Sequence, residues 1–561
     1  IRPDFADAAN NRGIALQELG RTGDALVSFE RALAIKPDYA EALNNLGNTL
    51  KKLQRNDEAL ASYARALTVR PDFGQAASNH GLLLHALSRY DEALTSFRRA
   101  LAIDPDQRYL FGRWLHTKMK VCDWSELDEA FTTLAAGIAA GKLIASPFYI
   151  LATPLPLPLQ RKCAEMVVDA EYPPRNHLPY RGRDAAHGRI RLGYFSGDFR
   201  DQVVAYLTAG LFETHDRSRF ELTAFSFGSP AEGPIRSRIK AGFDQFIDVG
   251  NRSDANVALL ARELGIDIAV DLTGFTGHPR TGVFARRAAP LQVNYLGYPG
   301  TMGADYMDYL IADATVIPEG QFGHYAEKIA HLPHTYLVND SRRAAADRTF
   351  TRQDVGLPPQ CFAFCNVSPC VKITPDDFDI WMRLLTAVNG SVLWLAGTNQ
   401  TAENNLRREA GARGVSPDRL IFKGHTPLMS DHLAQLQLAD LFVDTSHFNA
   451  HTTANDALWA GLPVLTRLGD TFAGRVAASL LKAVGLPELI THTPEAYEAL
   501  AMELATNATK LAALRQRLAA NRLTYPLFDT ALFTRHIEAA YTVMWERHQA
   551  GLPPDHLTIR P

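Results

Sequence analysis

Hydrophobic and polar positions alternate in two different ways along this chain, and the change of pattern divides it. Asp4–Pro37, Asp38–Pro71 and Asp72–Pro105 are three consecutive blocks of 34 residues. Each holds two stretches with apolar residues at helical spacing and ends in an X-Pro stop, at Pro37, Pro71 and Pro105. Gly13, Gly47 and Gly81 recur on the first helix of each pair, and Asp24-Ala-Leu, Glu58-Ala-Leu and Glu92-Ala-Leu on the second. From Asp106 to about Arg183 the period is lost while helical spacing persists through Trp114, Leu115, Trp124, Leu127 and Phe131. Pro154-Leu-Pro-Leu-Pro158 and Tyr172-Pro-Pro-Arg-Asn-His-Leu-Pro179 then break the pattern, which predicts a boundary near residue 185.

Beyond that point short β-rich runs alternate with helical ones. Ile190–Phe195, Phe220–Phe227, Ile266–Leu272 and Leu291–Leu296 form one series. Phe362–Asn366, Ser391–Leu395, Leu420–Phe422, Leu441–Asp444 and Val464–Leu465 form a second. Such alternation predicts two parallel sheets covered by helices, with a cleft between the halves and ligands beyond the carboxyl ends of the strands.

The 34-residue period, small-residue columns and terminal prolines match tetratricopeptide repeats, in which helix pairs stack because no single pair buries its own apolar face. Ile1-Arg-Pro3 matches the tail of a preceding block, so the array is expected to begin earlier. The segment after Pro105 is expected to cap it. Asn11, Asn45 and Asn79 form a polar column at the same spacing. Such a column can hold the backbone of an extended peptide, or it can serve helix–helix hydrogen bonds; both readings stand.

The stretch Phe442–Leu465 reads as strand, polar loop, helix and strand, with the helix opening on His451-Thr452-Thr453 and ending at Gly461-Leu-Pro463. Unpaired N–H groups at a helix amino end attract anions. Two threonine hydroxyls and a ring donor from His451 would add to them, and Asp456, about a turn later, could grip a sugar hydroxyl. The competing reading is plain helix capping.

Composition narrows the field. The 561 residues are 46% hydrophobic and 21% charged, with a formal charge of -3. That is ordinary globular material with no basic excess for nucleic acid and no apolar run of membrane-spanning length. Five cysteines without paired spacing suit a reducing cytoplasm. Cys361, Cys365 and Cys370 read as small core residues, not metal ligands.

Several motifs in order carry a resemblance. They are Gly193-Tyr-Phe-Ser-Gly-Asp-Phe199, Leu296-Gly-Tyr-Pro-Gly-Thr301, Met307-Asp-Tyr309, Leu332-Pro-His-Thr335, Ser391-Val-Leu-Trp-Leu395, Gln437-Leu-Ala-Asp440, and His451-Thr-Thr through Leu458-Trp-Ala-Gly461. Together with the leading repeats they resemble the O-GlcNAc transferase family and its bacterial SPINDLY-like members. The resemblance implies an α/β GT-B fold of two Rossmann-like domains behind a tetratricopeptide superhelix. The expected division is repeats over 1–105, a helical cap and linker over 106–185, an acceptor-side domain over 186–345 and a nucleotide-side domain over 346–561.

The implied activity is inverting transfer of N-acetylglucosamine from UDP-GlcNAc to Ser or Thr hydroxyls of acceptor proteins presented by the repeat groove. A same-fold transferase using another donor such as GDP-fucose, or a nucleotide-binding scaffold with little turnover, are the alternatives. By the resemblance Lys372 neutralises the diphosphate leaving group, His451, Thr452 and Thr453 hold the diphosphate, Asp456 the ribose, and His432 lies beside the nucleotide. Leu296, Gly297, Tyr298 and Pro299 would wall the sugar. No cofactor or metal is expected, because the two DxD triplets, Asp104-Pro-Asp106 and Asp377-Phe-Asp379, read as turn and helix-opening chemistry. Where the family carries a histidine near the acceptor this chain has Gln202, which cannot accept a proton at neutral pH. Asp198, Tyr194, His278 and the substrate's own phosphate remain candidates for the base. His278, in Gly277-His-Pro-Arg280, can equally be a solvated turn residue.

Overall fold

The computed structural model describes residues 5–175, 188–277, 279–397, 399–424 and 426–561. His278 and the boundary expected near residue 185 lie outside them. Two compact units emerge, Ile1–Ala145 with Asn399–Asn405, and Ser146–Thr398 with Leu406–Pro561.

In the first unit the repeats are antiparallel helix pairs: α1 (Ala6–Glu18) with α2 (Thr22–Ile35), α3 (Ala40–Lys52) with α4 (Asn56–Val69), and α5 (Gly74–Ala86) with α6 (Tyr90–Ile103). The recurring glycines have a packing cause. A Cβ at Gly13, Gly47 or Gly81 would lie 2.5–2.6 Å from the ring of Phe29, Tyr63 or Phe97. Those aromatics, sixteen positions further on, are fully buried. Each pair therefore closes by seating a ring on bare backbone. The cap begins with α7 (Leu110–Lys120) and α8 (Leu127–Ala139).

The second unit holds two all-parallel sheets. The strands of the first half are β1 (Ile190–Ser196), β2 (Phe220–Ser226), β3 (Gln245–Asp248), β4 (Ile268–Asp271), β5 (Leu291–Asn294), β6 (Tyr309–Asp313) and β7 (Lys328–Leu332). Those of the second are β8 (Ala363–Asn366), β9 (Val392–Ala396), β10 (Leu420–Lys423), β11 (Leu441–Val443), β12 (Val464–Arg467) and β13 (Ile490–Thr491). A last strand, β14 (Leu557–Thr558), returns to the first sheet, whose order is β14-β7-β6-β5-β4-β1-β2-β3. The second runs β10-β9-β8-β11-β12-β13. In both, the first strand in sequence lies inside the sheet, so the chain winds out in two directions and leaves a crevice at the carboxyl ends.

The expectation of two parallel-sheet halves behind a helical array holds, with one correction to the division. The chain end belongs with the first half, not the second. The helix Thr530–Gln549 inserts Glu538 and Tyr541 into the first half's core: the Tyr194 hydroxyl lies 3.0 Å from His215 Nε2 and 3.4 Å from the Tyr541 hydroxyl, and His215 Nδ1 lies 2.9 Å from Glu538 Oε1. Apolar burial around these rings makes their polar partners obligatory. Among the described residues no helix is long and apolar enough to cross a membrane.

The glycine–aromatic seat predicts an inverted sign. Gly→Ala inside a helix normally stabilises by about 1 kcal/mol. Gly47→Ala should instead cost about 1–3 kcal/mol by overpacking Tyr63. Gly23→Ala, where nothing lies within 4 Å of the new carbon, should be neutral or stabilising. Urea unfolding followed by circular dichroism compares the two, and equal effects would remove the packing argument.

Candidate functional site

The helix His451–Ala460 follows β11 through the loop 444–450, and that loop is locked by buried groups. Asp444 accepts from the N–H groups of Thr445 and Ala450 at 2.9 and 2.8 Å and from the Thr466 hydroxyl at 2.7 Å. Asn449 is fully buried, donates to the Thr445 carbonyl at 2.6 Å and accepts from the Ala477 N–H at 3.2 Å. The helix thus starts from a fixed point. Its N-cap is Ala450, which has no side-chain acceptor to offer. The N–H groups of Thr452 and Thr453 therefore lack the usual cap, and both hydroxyls sit half-buried at a cleft. The plain capping reading loses its basis.

Lys372 comes to this point from a short turn, Cys370–Lys372, after β8. Its Nζ donates to the Asn449 carbonyl at 2.6 Å and stands 3.9 Å from the centre of the Phe448 ring. Burial pushes the ammonium down to about 7, against the pull of Asp444, and burial likewise pushes the Asp444 carboxyl up to about 7. His451 is held well below its ordinary value by burial and by Lys372. Its Nε2 lies 2.8 Å from the Ala473 carbonyl, so the one proton of the neutral ring is committed there. That corrects the expected ring donor: His451 offers Nδ1 as an acceptor instead.

The open cleft, about 600 Å³, is lined by both halves. From the second come Thr426, Met429, His432, Thr452, Thr453 and Asp456, and from the first Asp201, Val203, Tyr206 and Arg238. Gln202 is exposed between two of these lining residues and is the N-cap of the helix Val203–Thr214. His432 Nε2 is 3.9 Å from Asp456 Oδ2, and burial lowers its pKa.

Sequence reasoning missed the partner of Asp456. Arg343 donates to Asp456 Oδ1 at 2.6 Å and to Asn339 Oδ1 at 2.9 Å, with its guanidinium 5.4 Å from the Trp459 ring centre. Asn339 in turn exchanges bonds with Asn455 at 3.0 and 2.7 Å. One carboxylate oxygen of Asp456 is thus fixed, leaving the other toward His432. Nothing in the spacing around Ser341-Arg-Arg343 signals this.

Other expected residues fall elsewhere. Tyr194 is fully buried in the core described above, so its hydroxyl is withdrawn as a cleft base. Asp198 is half-buried beyond the end of β1, and burial raises its pKa against Arg200. Of the supposed sugar wall, Leu296 and Gly297 are half-buried, while Tyr298 and Pro299 turn inward. The Tyr298 ring stacks edge-on against Phe275 at 5.3 Å. Gly297 is required because a Cβ would strike the Leu272 carbonyl, a reason internal to the protein. In the DxD triplets, Asp377 accepts from Thr374 Oγ1 at 2.9 Å, Asp379 pairs with Arg413, and Asp106 pairs with Lys142 at 2.7 Å.

Two of the three asparagines of the column bond within the array. Asn45 Nδ2 donates to Asn10 Oδ1 at 3.0 Å and Asn79 Nδ2 to Asn44 Oδ1 at 2.9 Å, while Asn11 is exposed. The helix–helix reading accounts for these two amides.

Comparison with known proteins decides the lineage. The glycosyl transferase family 41 profile matches residues 161–349 and 346–537. The chain belongs to glycosyl transferase family 41. Tetratricopeptide repeat profiles match residues 4–72 and 44–108. The family member is 36% identical over 468 residues to the Arabidopsis thaliana protein named probable UDP-N-acetylglucosamine--peptide N-acetylglucosaminyltransferase SEC, covering 79% of this chain and 48% of that one. It is 27% identical over 482 residues to the UDP-N-acetylglucosamine--peptide N-acetylglucosaminyltransferase of Caenorhabditis elegans, covering 66% and 42%. The chain thus spans about half, or less, of the length of these relatives. A Thermobaculum terrenum O-GlcNAc transferase mutant superposes with a TM-score of 0.72 at 28% identity, covering 97% and 98% of the two chains. The two parallel-sheet halves therefore form the GT-B fold of this family.

A pH dependence follows from Lys372. Its ordinary value of 10.5 falls to about 7 in the folded protein, so above that pH the amine is neutral and binding a diphosphate beside it draws a proton from solvent. Affinity for UDP, measured calorimetrically from pH 7.5 to 9.5, should fall by up to about tenfold per unit. A flat profile would show that Lys372 does not meet the anion.

Proposed function

We propose that this family 41 protein moves N-acetylglucosamine from UDP-GlcNAc to Ser or Thr hydroxyls of proteins, with inversion and without a metal. The observation that carries the reading is the meeting of the Lys372 ammonium with the uncapped amino end of the helix His451–Ala460. As the acceptor hydroxyl attacks the anomeric carbon, the bond to the β-phosphate oxygen breaks and negative charge collects on UDP. A fixed ammonium and the Thr452 and Thr453 donors stabilise that charge without reorganising. Their positions are set before substrate arrives, by Asp444 and Asn449.

Asp456, held by Arg343, is the ribose contact in this reading, and His432 borders the base. Attack from the face opposite the departing diphosphate gives inversion. The acceptor proton must leave as the bond forms; Gln202 positions the hydroxyl but cannot take its proton, and Asp198, His278 and the substrate's own phosphate are the candidate acceptors in this reading. The names of the relatives favour UDP over GDP as the carrier. Comparing the thermal stabilisation by each nucleotide tests that choice, since a ligand stabilises according to its affinity.

Three outcomes follow. Lys372→Met should lower the rate of sugar transfer to a peptide by about 10²–10³-fold, the scale of removing one preorganised transition-state donor. Excess EDTA should leave wild-type transfer unchanged, and loss of activity restored by a divalent cation would overturn the metal-free reading. Gln202→His should raise transfer by about 10²-fold, the scale of one general base. Equal rates would take position 202 out of the chemistry.

A further inference from the structure

The helical array continues, in register, one helix beyond its last recognisable repeat. Gly20, Gln54, Ser88 and Cys122 all adopt left-handed backbone (φ 74, 60, 60 and 50°), at 34-residue intervals just after α1, α3, α5 and α7. By that register α7 contributes Arg113 to the column of Asn11, Asn45 and Asn79.

Arg113 does not do what the asparagines do. Asn45 and Asn79 each bond to the preceding repeat, whereas the Arg113 Nε is buried with no hydrogen-bond partner among the described residues. The ionisable side chains whose pKa Arg113 shifts are all basic. Burial lowers the pKa of Lys51, and Arg113 lowers it further. Burial, Lys120 and Arg113 bring His85 to about 4; burial, Lys120, His85 and Arg113 bring His116 to about 3. No carboxylate is among the charges that act on these three. His85 Nε2 and Gln107 Oε1 are also buried without partners. Arg113, Gln107, Gln75 and Ser78 line a cavity of about 490 Å³. Asp104 and Asp106 also line it, but Asp106 is taken by Lys142 at 2.7 Å and Asp104 accepts the Asp106 N–H at 3.1 Å.

We propose that this end of the array binds an acidic peptide segment, with Arg113 receiving an Asp or Glu carboxylate of the partner. A half-buried guanidinium without an acceptor is held at a cost that a planar carboxylate relieves through two parallel hydrogen bonds. Lys51 and Lys120 set the field that steers such a partner in, and Gln107 and Gln75 offer amide groups for its backbone. The inference is one of binding and stands whether or not sugar is transferred.

The test is fluorescence anisotropy on the full chain with a labelled decapeptide of alternating Glu and Ser, against the same peptide with Gln for Glu. The Glu peptide should bind at least about tenfold tighter at 50 mM NaCl, and the preference should shrink at 300 mM as charge is screened. Arg113→Gln should remove most of the preference and Arg113→Lys should keep part of it. Lys51→Gln, an exposed change that leaves folding intact, should weaken binding about two- to fivefold. Equal affinity for the two peptides, or unchanged affinity in both Arg113→Gln and Lys51→Gln with native circular dichroism, would overturn the proposal.

Discussion

The site depends on one contact, the Lys372 ammonium against the Asn449 carbonyl at the foot of an uncapped helix. A buried lysine with that single hydrogen bond is expensive, and its lowered pKa records the expense. Asp444 offsets part of it by charge and, with the same carboxylate, ties both ends of the loop that positions the helix. Removing water from this pocket is what gives the remaining donors their strength, because the same charge acts more strongly in a poorer dielectric. An anion arriving here meets groups that already point at it.

The other half of the second unit is tied to this geometry through the end of the chain and through Arg343. The chain end crosses back, burying Glu538 and Tyr541 beside Tyr194, so the two halves share a helix and a strand. Within the first half Arg238 bridges Glu213 and Asp340 at 2.8 and 2.5 Å, while Arg343 reaches Asp456 from the segment leading out of that half. Arg343 therefore couples the position of that segment to the carboxylate that faces the cleft.

Long-period features were legible in the sequence and short-range chemistry much less so. Three repeats announce themselves because stacking imposes the same small residue in every 34-residue repeat, yet the reason for Gly47, the ring of Tyr63, lies sixteen residues away on the partner helix. The strands that open on apolar runs, such as Phe362–Asn366 and Val464–Leu465, were readable. The strands β3, β6, β7, β13 and β14 were not, being short or set in mixed sequence. At the site, the helix opening at His451 and the lysine after β8 were visible, because a helix amino end and a strand exit constrain what can sit there. The direction of a ring or hydroxyl was not: the His451 proton, the inward Tyr298 and the buried Tyr194 are decided by the Ala473 carbonyl, the Phe275 ring and the His215 and Tyr541 side chains, which no local pattern marks. Arg343 was invisible for the same reason, since its bond to Asp456 spans 113 residues of chain.

A crystal structure of the protein with UDP tests the central claim most directly. The account predicts the diphosphate at the amino end of the helix His451–Ala460, with an oxygen of the outer phosphate about 3 Å from Lys372 Nζ and the Thr452 and Thr453 N–H groups turned to it. UDP bound with its phosphates away from that end, or Lys372 still bonded only to Asn449 with nucleotide in the cleft, would contradict it.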